Sequence, residues 1–337
     1  MIGVAASPER IWVDDSTTMQ RAIANGAAVR ASTAPNPWVG AVVTATDGST
    51  FDGATTQPGG PHAEVVALAA AGHRALGATL TVTLEPCAHH GRTAPRTDAI
   101  VAAGIRRVVV GIEDPDNRMM GRGIAALTAA GVEVSVGQRS AEIEAELEPY
   151  LVHRRTGRPF VILKLAATVD GRIAAANGTS RWITGPDARS DVHRLRAESD
   201  PVLVGAGTVR ADDPALTVRH VDGRDPLRVV LGRAPADARI RPCLELLGDL
   251  GEVLDELGRQ GVLQVLVEGG ATVAHHFHHA GLVNRYVVYL APALAAGSDA
   301  MAMFHGPAAR DIDSVWRGNF RSVTALGANL RIELDAT

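Results

Sequence analysis

Two short segments constrain the fold of this 337-residue chain more than anything else in it. His62-Ala63-Glu64 opens a stretch, HAEVVALAAA, whose apolar residues recur at helical spacing. Ala78 to Leu84, ATLTVTL, alternates as a strand and delivers Glu85-Pro86-Cys87 at its C-terminal end. Setting a helix start beside a strand end is what an α/β sheet with helices on both faces does. The flanking pattern agrees. Met19 to Arg30 has helical character, with capping residues over Asp14 to Thr17, and Val39 to Thr46 reads as a strand. Thr97 to Ala103 and Ile124 to Ala130 read as helices, alternating with strands over Arg107 to Gly111 and Val132 to Val136.

Ala141 to Arg155 reads as one helix running into the polar stretch His153-Arg154-Arg155-Thr156-Gly157-Arg158-Pro159. We expect a boundary there, with a first domain over residues 1–150 and a second over 151–337. The second domain opens on a buried strand, Phe160 to Ala167, followed by a helix over Asp187 to Glu198. Pro201 to Gly205, Leu227 to Leu231 and Leu263 to Val267 are further short apolar strands, so this half is also α/β. Pro235 to Leu250 yields no firm element. Two distant cysteines, Cys87 and Cys243, make no disulfide framework, which fits a reducing cytoplasm. Asp14 and Asp15 stand where a signal peptide needs an apolar core, and no apolar run reaches the ~20 residues of a membrane span. A net charge of −4 without long runs of one sign argues against a nucleic-acid-binding surface. Aromatics make up only 4%, so the cores must rest on Val, Leu, Ile and Ala.

The order H-x-E followed by P-C carries a chemistry. In zinc deaminases a His and two Cys hold the metal, and the Glu moves protons without ligating it. Zinc lowers the pKa of bound water to about 7, and the carboxylate passes the proton to the leaving ammonia. Taken alone, His62-Ala63-Glu64 is as well explained by a solvated helix start, and Cys87 by a small buried hydrophobe. Together, in order and each in its expected element, they are far more specific.

The first half resembles the deaminase half of the bifunctional riboflavin-biosynthesis deaminase/reductase family. The resemblance rests on Pro35-Asn36-Pro37-Trp38-Val39-Gly40, His62-Ala63-Glu64 and Thr83-Leu84-Glu85-Pro86-Cys87-Ala88-His89-His90-Gly91-Arg92-Thr93. Asp114-Pro115-Asp116-Asn117 and Gly121-Arg122-Gly123-Ile124 continue it. It implies a cytidine-deaminase-like three-layer α/β/α domain, with His62 and Cys87 as zinc ligands and Glu64 as proton shuttle. It implies Asn36, His89, His90 and Arg92 near the pyrimidine or phosphoribosyl part of the substrate. The chain departs from the family at Arg96, which stands where the family has its second ligand cysteine. A guanidinium only donates and stays protonated, so it cannot ligate zinc. Three readings stand: the zinc is lost, His90 replaces the cysteine, or Arg96 is a variant of an otherwise active chain.

The second half resembles the reductase half of the same family, a dihydrofolate-reductase-like α/β domain. Lys164-Leu165-Ala166-Ala167-Thr168-Val169-Asp170-Gly171-Arg172-Ile173 and Gly178-Thr179-Ser180-Arg181-Trp182-Ile183-Thr184 carry the resemblance. Gly205-Ala206-Gly207-Thr208-Val209, Asp212-Asp213-Pro214-Ala215-Leu216-Thr217-Val218-Arg219 and Val267-Glu268-Gly269-Gly270 extend it without a break. Independently of that, a strand over Val265 to Val267 runs into Glu268-Gly269-Gly270 before an expected helix. Glycines there let backbone amides approach a phosphate, although a plain turn explains one such pair as well. Gly205-Ala206-Gly207-Thr208 repeats the device. No G-x-G-x-x-G follows a first strand, so a Rossmann site is not indicated.

The resemblance implies that Ala166, Trp182, Thr208, Asp212, Gly269 and Gly270 contact NADPH. It implies that Ser180, Arg196, Leu216, Arg219 and Glu268 hold the substrate. Arginine suits a ribose phosphate because its planar fork binds oxygens bidentately. Lys164 or one of Asp212 and Asp213 is a candidate for proton delivery. The implied activity is hydrolytic deamination of 2,5-diamino-6-(phosphoribosylamino)pyrimidinone, then NADPH-dependent reduction of its ribosyl group to ribityl, in a homo-oligomer. One alternative is a reductase whose silent deaminase domain serves structure or dimerisation. Another is a nucleic-acid deaminase or binding module, which the charge opposes. His275, His276, His278 and His279 read as a partly exposed helix face with a metal site as the rival.

Overall fold

The computed structural model describes residues 14–88, 96–116 and 119–336. They form two compact units that divide between Arg155 and Thr156. In the first unit the elements run α1 (Asp15–Ala27), α2 (Arg30–Thr33), β1 (Gly40–Thr44), β2 (Thr50–Ala54), α3 (Ala63–Ala71) and β3 (Thr79–Leu84). They continue α4 (Arg96–Ala102), β4 (Arg107–Ile112), α5 (Arg122–Ala129), β5 (Glu133–Val136), α6 (Ser140–Glu146) and α7 (Glu148–Thr156). The sheet order is β2-β1-β3-β4-β5, with β1 antiparallel to both neighbours and β3, β4 and β5 parallel.

Glycine places the helices. A Cβ on Gly40 would lie 1.8 Å from the Ala22 carbonyl of α1, and one on Gly53 would lie 2.1 Å from the Ala63 carbonyl of α3. Gly53 pairs with Ala41, the neighbour of Gly40. Successive residues of a strand face opposite sides, so α1 and α3 cover opposite faces of the sheet. This is the three-layer arrangement.

Two sequence readings are corrected here. The helix expected over 141–155 is two helices, parted at Leu147. Pro149 lies in the first turn of α7, where its missing N–H does no harm, whereas inside a longer helix it would break a rung. The strand β2 was not expected. Its signal was Asp47-Gly48, a turn in which Gly48 adopts φ 84° and Asp47 accepts from the Ser49 amide at 2.9 Å.

The second unit runs β6 (Phe160–Thr168), β7 (Arg172–Ala174), α8 (Pro186–Ala197), β8 (Pro201–Gly205), α9 (Ala206–Asp212), β9 (Leu227–Leu231) and β10 (Leu244–Leu246). It continues α10 (Leu250–Arg259), β11 (Gln264–Val267), α11 (Ala271–His279), β12 (Arg285–Ala291), β13 (Met301–Ala302), β14 (Asn319–Leu326) and β15 (Asn329–Asp335). The main sheet has the order β10-β9-β8-β11-β6-β12-β15-β14. From β10 to β12 neighbouring strands are parallel, and the β15–β14 end is antiparallel. The central strands are nearly continuous apolar runs because both faces are covered. Val161, Leu163, Leu203, Val265, Val267 and Phe277 are among the residues of one buried cluster. The stretch Pro235 to Leu250, unreadable in the sequence, contains β10. No described helix is long and apolar enough to cross a membrane.

Candidate active sites

In the first unit, His62 is the N-cap of α3 and half-buried, and Glu64 lies in the first turn with 4% of its surface exposed. Burial pushes the Glu64 carboxyl up, and the nearby Arg96 charge pulls it the other way. Its Oε2 is buried without a hydrogen-bond partner among the described residues. Cys87, half-buried, follows β3. The Arg96 amide donates to the Cys87 carbonyl at 3.1 Å, tying the start of α4 to that segment. Arg96 itself is only 7% exposed, and its charge acts on both Glu64 and Cys87. The structure therefore brings Glu64, Cys87 and Arg96 into one neighbourhood, with His62 two residues from Glu64.

A helix N-terminus at Cys87 would favour its thiolate. Instead burial pushes the thiol up, with the Arg96 charge the opposing influence. α4 begins at Arg96 and presents its first turn there rather than at Cys87. As a zinc site the described residues supply two ligand positions, His62 and Cys87, and a guanidinium at the third. That donor set does not fit the three-ligand cage of a zinc deaminase. His89, His90 and Arg92 lie outside the described residues. Asn36 is half-buried, and its backbone N–H donates to the Thr33 carbonyl at 2.9 Å.

Glu85, the first residue of the E-P-C segment, has a role that sequence reasoning missed. Its Oε1 accepts from the amides of Gly123 at 2.8 Å and Ile124 at 3.2 Å. Its Oε2 accepts from Gly121 at 3.0 Å and Asp114 at 3.2 Å. The carboxylate thus caps the N-terminus of α5 and holds the loop before it. A Cβ on Gly123 would lie 1.9 Å from the Pro86 carbonyl, which accounts for glycine in Gly121-Arg122-Gly123. Asp114 in turn accepts from the Tyr150 hydroxyl of α7 at 2.9 Å.

In the second unit the candidate site gathers where β8 and β11 end, beside the middle of the longer β6; open α/β sheets bind ligands at strand ends. The register pairs Leu163 with Val267 and Val267 with Leu203, so Lys164 and Glu268 follow one another across the strands. Arg196 of α8 grips Glu268 with two parallel bonds, Nε to Oε1 at 2.6 Å and Nη2 to Oε2 at 2.9 Å. Lys164 Nζ lies 3.8 Å from Oε2. The Glu268 side chain is 8% exposed. Burial alone would raise its carboxyl, but Arg196, Lys164 and His193 together bring it down to about 2. Burial lowers the Lys164 ammonium, which Glu268 opposes.

Arg196 also donates through Nη1 to the Thr217 carbonyl at 3.2 Å. Its fork is spent on Glu268 and Thr217, whereas Arg219 commits only Nη1, to the Thr217 hydroxyl at 2.8 Å, among its side-chain bonds. Leu216 is buried with φ 51°. Lys164, Arg196 and Glu268 thus form one cluster, and Thr217 ties Arg219 to it.

A second group adjoins it. Lys164, Ala166 and Thr168 alternate along one face of β6. Thr168 lines a cavity of about 200 Å³ with Arg172, Ser180, Arg181, Trp182 and Leu294. Trp182 is 70% exposed, and the Arg189 guanidinium lies 4.7 Å from its ring centre. The Arg181 guanidinium donates to the Asp212 carbonyl, joining this segment to the end of α9.

The glycine-led helix starts of α9 and α11 follow neighbouring strands. A Cβ on Gly205 would meet Val273 at 2.7 Å, and one on Gly269 would meet it at 2.5 Å, so both glycines let α11 pack tightly. Nothing lies within 4 Å of a Cβ on Gly207, which leaves an open face there. The Gly270 amide donates to the Thr208 hydroxyl at 3.1 Å. The next amides, at the start of α11, have no partner within the helix and suit a phosphate. These residues fit a dinucleotide such as NADPH: an amide-lined cradle, an exposed indole to stack on, and an open strand face between. On α11 the histidine face is partly exposed, as expected, with His276 and His279 outward. His275 is 7% exposed, and His278 bonds Tyr286 at 2.7 Å.

Comparison with known proteins agrees across both units. Residues 13–112 match the cytidine and deoxycytidylate deaminase zinc-binding region, and residues 159–330 match the RibD C-terminal domain. The chain is 38% identical to riboflavin biosynthesis protein RibD of Escherichia coli, over 96% of this chain and 99% of that protein. It superimposes on RibD of Acinetobacter baumannii with a TM-score of 0.90 at 38% identity, over 96% of this chain and 99% of that one. It also matches the diaminohydroxyphosphoribosylaminopyrimidine deaminase/5-amino-6-(5-phosphoribosylamino)uracil reductase of Thermotoga maritima, with a TM-score of 0.87 at 33% identity and the same coverages. Both halves match, so nothing here favours a chain with only one of them. The chain belongs to the RibD family of bifunctional deaminase–reductases of riboflavin biosynthesis.

Proposed function

We propose that the second unit reduces the ribosyl group of a phosphoribosylaminopyrimidine to ribityl, in the cytoplasm and within a homo-oligomer. The observation that carries this reading is the buried Lys164–Glu268–Arg196 cluster at the strand ends beside the glycine-led start of α11. When bound, NADPH supplies the hydride that goes to C1′ of the opened ribose. Trp182, Thr208, Gly269 and Gly270 hold the cofactor, and Ala166 leaves room beside it on β6. Arg219 binds the substrate phosphate, Ser180 and Leu216 line the substrate's place, and Asp212 holds Arg181 through its carbonyl. Glu268 stays ionised, fixes Arg196 and keeps the Lys164 ammonium charged, and Lys164 Nζ delivers the proton. The deciding test follows NADPH oxidation by absorbance with the deaminated substrate. The full chain is expected to turn over, and Lys164→Ala to lose activity ~10²- to 10⁴-fold while still binding NADPH. Unchanged turnover in Lys164→Ala would remove Lys164 from the mechanism.

A second reading concerns the first unit. Arg96 leaves the described part of the deaminase pocket with Glu64 as the proton carrier and only His62 and Cys87 as ligands. We propose that this unit binds zinc far more weakly than a His-Cys-Cys site and deaminates correspondingly slowly. Metal analysis of the chelator-washed chain tests it. One tightly held zinc per chain would point to replacement by His90 and overturn the proposal.

A further inference from the structure

α8 carries Arg196 to Glu268, and one turn earlier it carries His193, to which no part in binding substrate or cofactor has been given above. His193 is 6% exposed. Its Nδ1 accepts from the backbone amide of Arg219 at 3.0 Å. An amide can only donate, so Nδ1 carries no proton and the tautomer is decided by the backbone. The segment it grips is unusual. Asp213, Leu216 and His220 adopt φ of 41°, 51° and 70°, the left-handed region that costs residues other than glycine roughly 1 kcal/mol or more each.

Such a loop persists only where its surroundings over-determine it. The Arg239 amide donates to Asp213 at 2.8 Å, and the Val218 amide donates to Asp225 at 2.7 Å. Arg196 holds the Thr217 carbonyl at 3.2 Å. The His193 bond is the only one of these that acts on Arg219 itself. The His193 ring also packs edge-on against His220, with centres 5.2 Å apart.

We propose that His193 is a positioning residue for substrate binding: by holding the Arg219 amide, it sets the arginine that takes the substrate phosphate. This rests on the assignment of Arg219 above. Apart from the Arg219 amide, His193 makes no hydrogen bond among the described residues to the cofactor residues or to Lys164, Arg196 or Glu268, so its effect should be confined to the phosphate end of the substrate.

The test uses the full chain with His193→Ala, His193→Asn and Arg219→Ala. It reads KM for substrate, KM for NADPH, kcat, and inhibition by inorganic phosphate. Losing one hydrogen bond predicts a rise of about 5- to 10-fold in substrate KM and in the phosphate inhibition constant for His193→Ala. NADPH KM and kcat should hold within about 2-fold. His193→Asn, whose Oδ1 accepts in place of Nδ1, should recover most of the loss. Arg219→Ala should weaken phosphate at least as much. If Arg219→Ala leaves phosphate inhibition unchanged, the assignment of Arg219 fails. If Arg219→Ala weakens it but His193→Ala does not, the positioning role is overturned. A uniform loss in all parameters, or no rescue by asparagine, likewise overturns it in favour of a purely structural histidine. Should the alanine variant not fold, the asparagine variant alone decides: near-normal phosphate inhibition supports the role, and a loss matching Arg219→Ala contradicts it.

Discussion

The two units treat a buried carboxylate in opposite ways. Glu268 is closed off by two parallel bonds from Arg196 and a nearby Lys164, and its carboxyl is held down at about 2. Glu64 is equally buried, but its Oε2 has no partner among the described residues and its carboxyl is pushed up. Partners decide what a carboxylate can do. One fully bonded to cations serves as a permanent charge, and one with a free oxygen can take up and release a proton. The first unit therefore holds a carboxylate that can carry a proton, and its described residues do not complete a metal cage. The second is built around a standing charge on Glu268, with the Lys164 ammonium beside it.

The largest effect that would break this comparison is on Lys164. Lys164→Ala is expected to cost the reductase ~10²- to 10⁴-fold, with Lys164→Arg also impaired because a guanidinium does not give up its proton. The converse change sharpens the other half. Arg96→Cys is expected to raise zinc content toward one per chain and deamination by ~10-fold or more, read by metal analysis and by product chromatography. Next comes Glu85, whose charge answers four amides. Glu85→Ala should destabilise the first unit by about 3 kcal/mol, seen as a lower denaturation midpoint with reductase kinetics intact. The smallest effect is a pH dependence. The His193 imidazole, pulled by burial and by Arg196, Arg219 and His220 from 6.5 to about 4, stays neutral in the fold while the unfolded chain takes up a proton. Stability should fall as pH drops from 6.5 toward 4 and level off below that. His193→Asn should lack this component in denaturant titrations at each pH.

Much of this was legible in the sequence where local chemistry decides. The helix start at His62 followed from apolar spacing, and the strand ending at Leu84 from its alternation. The glycine-led turns at Gly205 and Gly269 were visible as punctuation. What escaped was decided by distant partners. Arg196 reads as a free phosphate-binding fork until Glu268, 72 residues away, is seen to occupy it. Glu85 reads as a spacer in a metal motif until the amides of Gly121 to Ile124 converge on it. The helix over 141–155 failed because apolar period outweighed the signal of Pro149. The C-terminal hairpin went unread because β14 is largely exposed and shows no clean inside–outside alternation.

The central claim is that one half of this chain keeps its site complete while the other has exchanged a metal ligand for a cation. Zinc per chain, measured on chelator-washed wild-type protein beside Arg96→Cys, tests it most directly. The account predicts far less than one zinc in the wild type and close to one in the variant. A tightly bound zinc in the wild type, unchanged by the substitution, would contradict it.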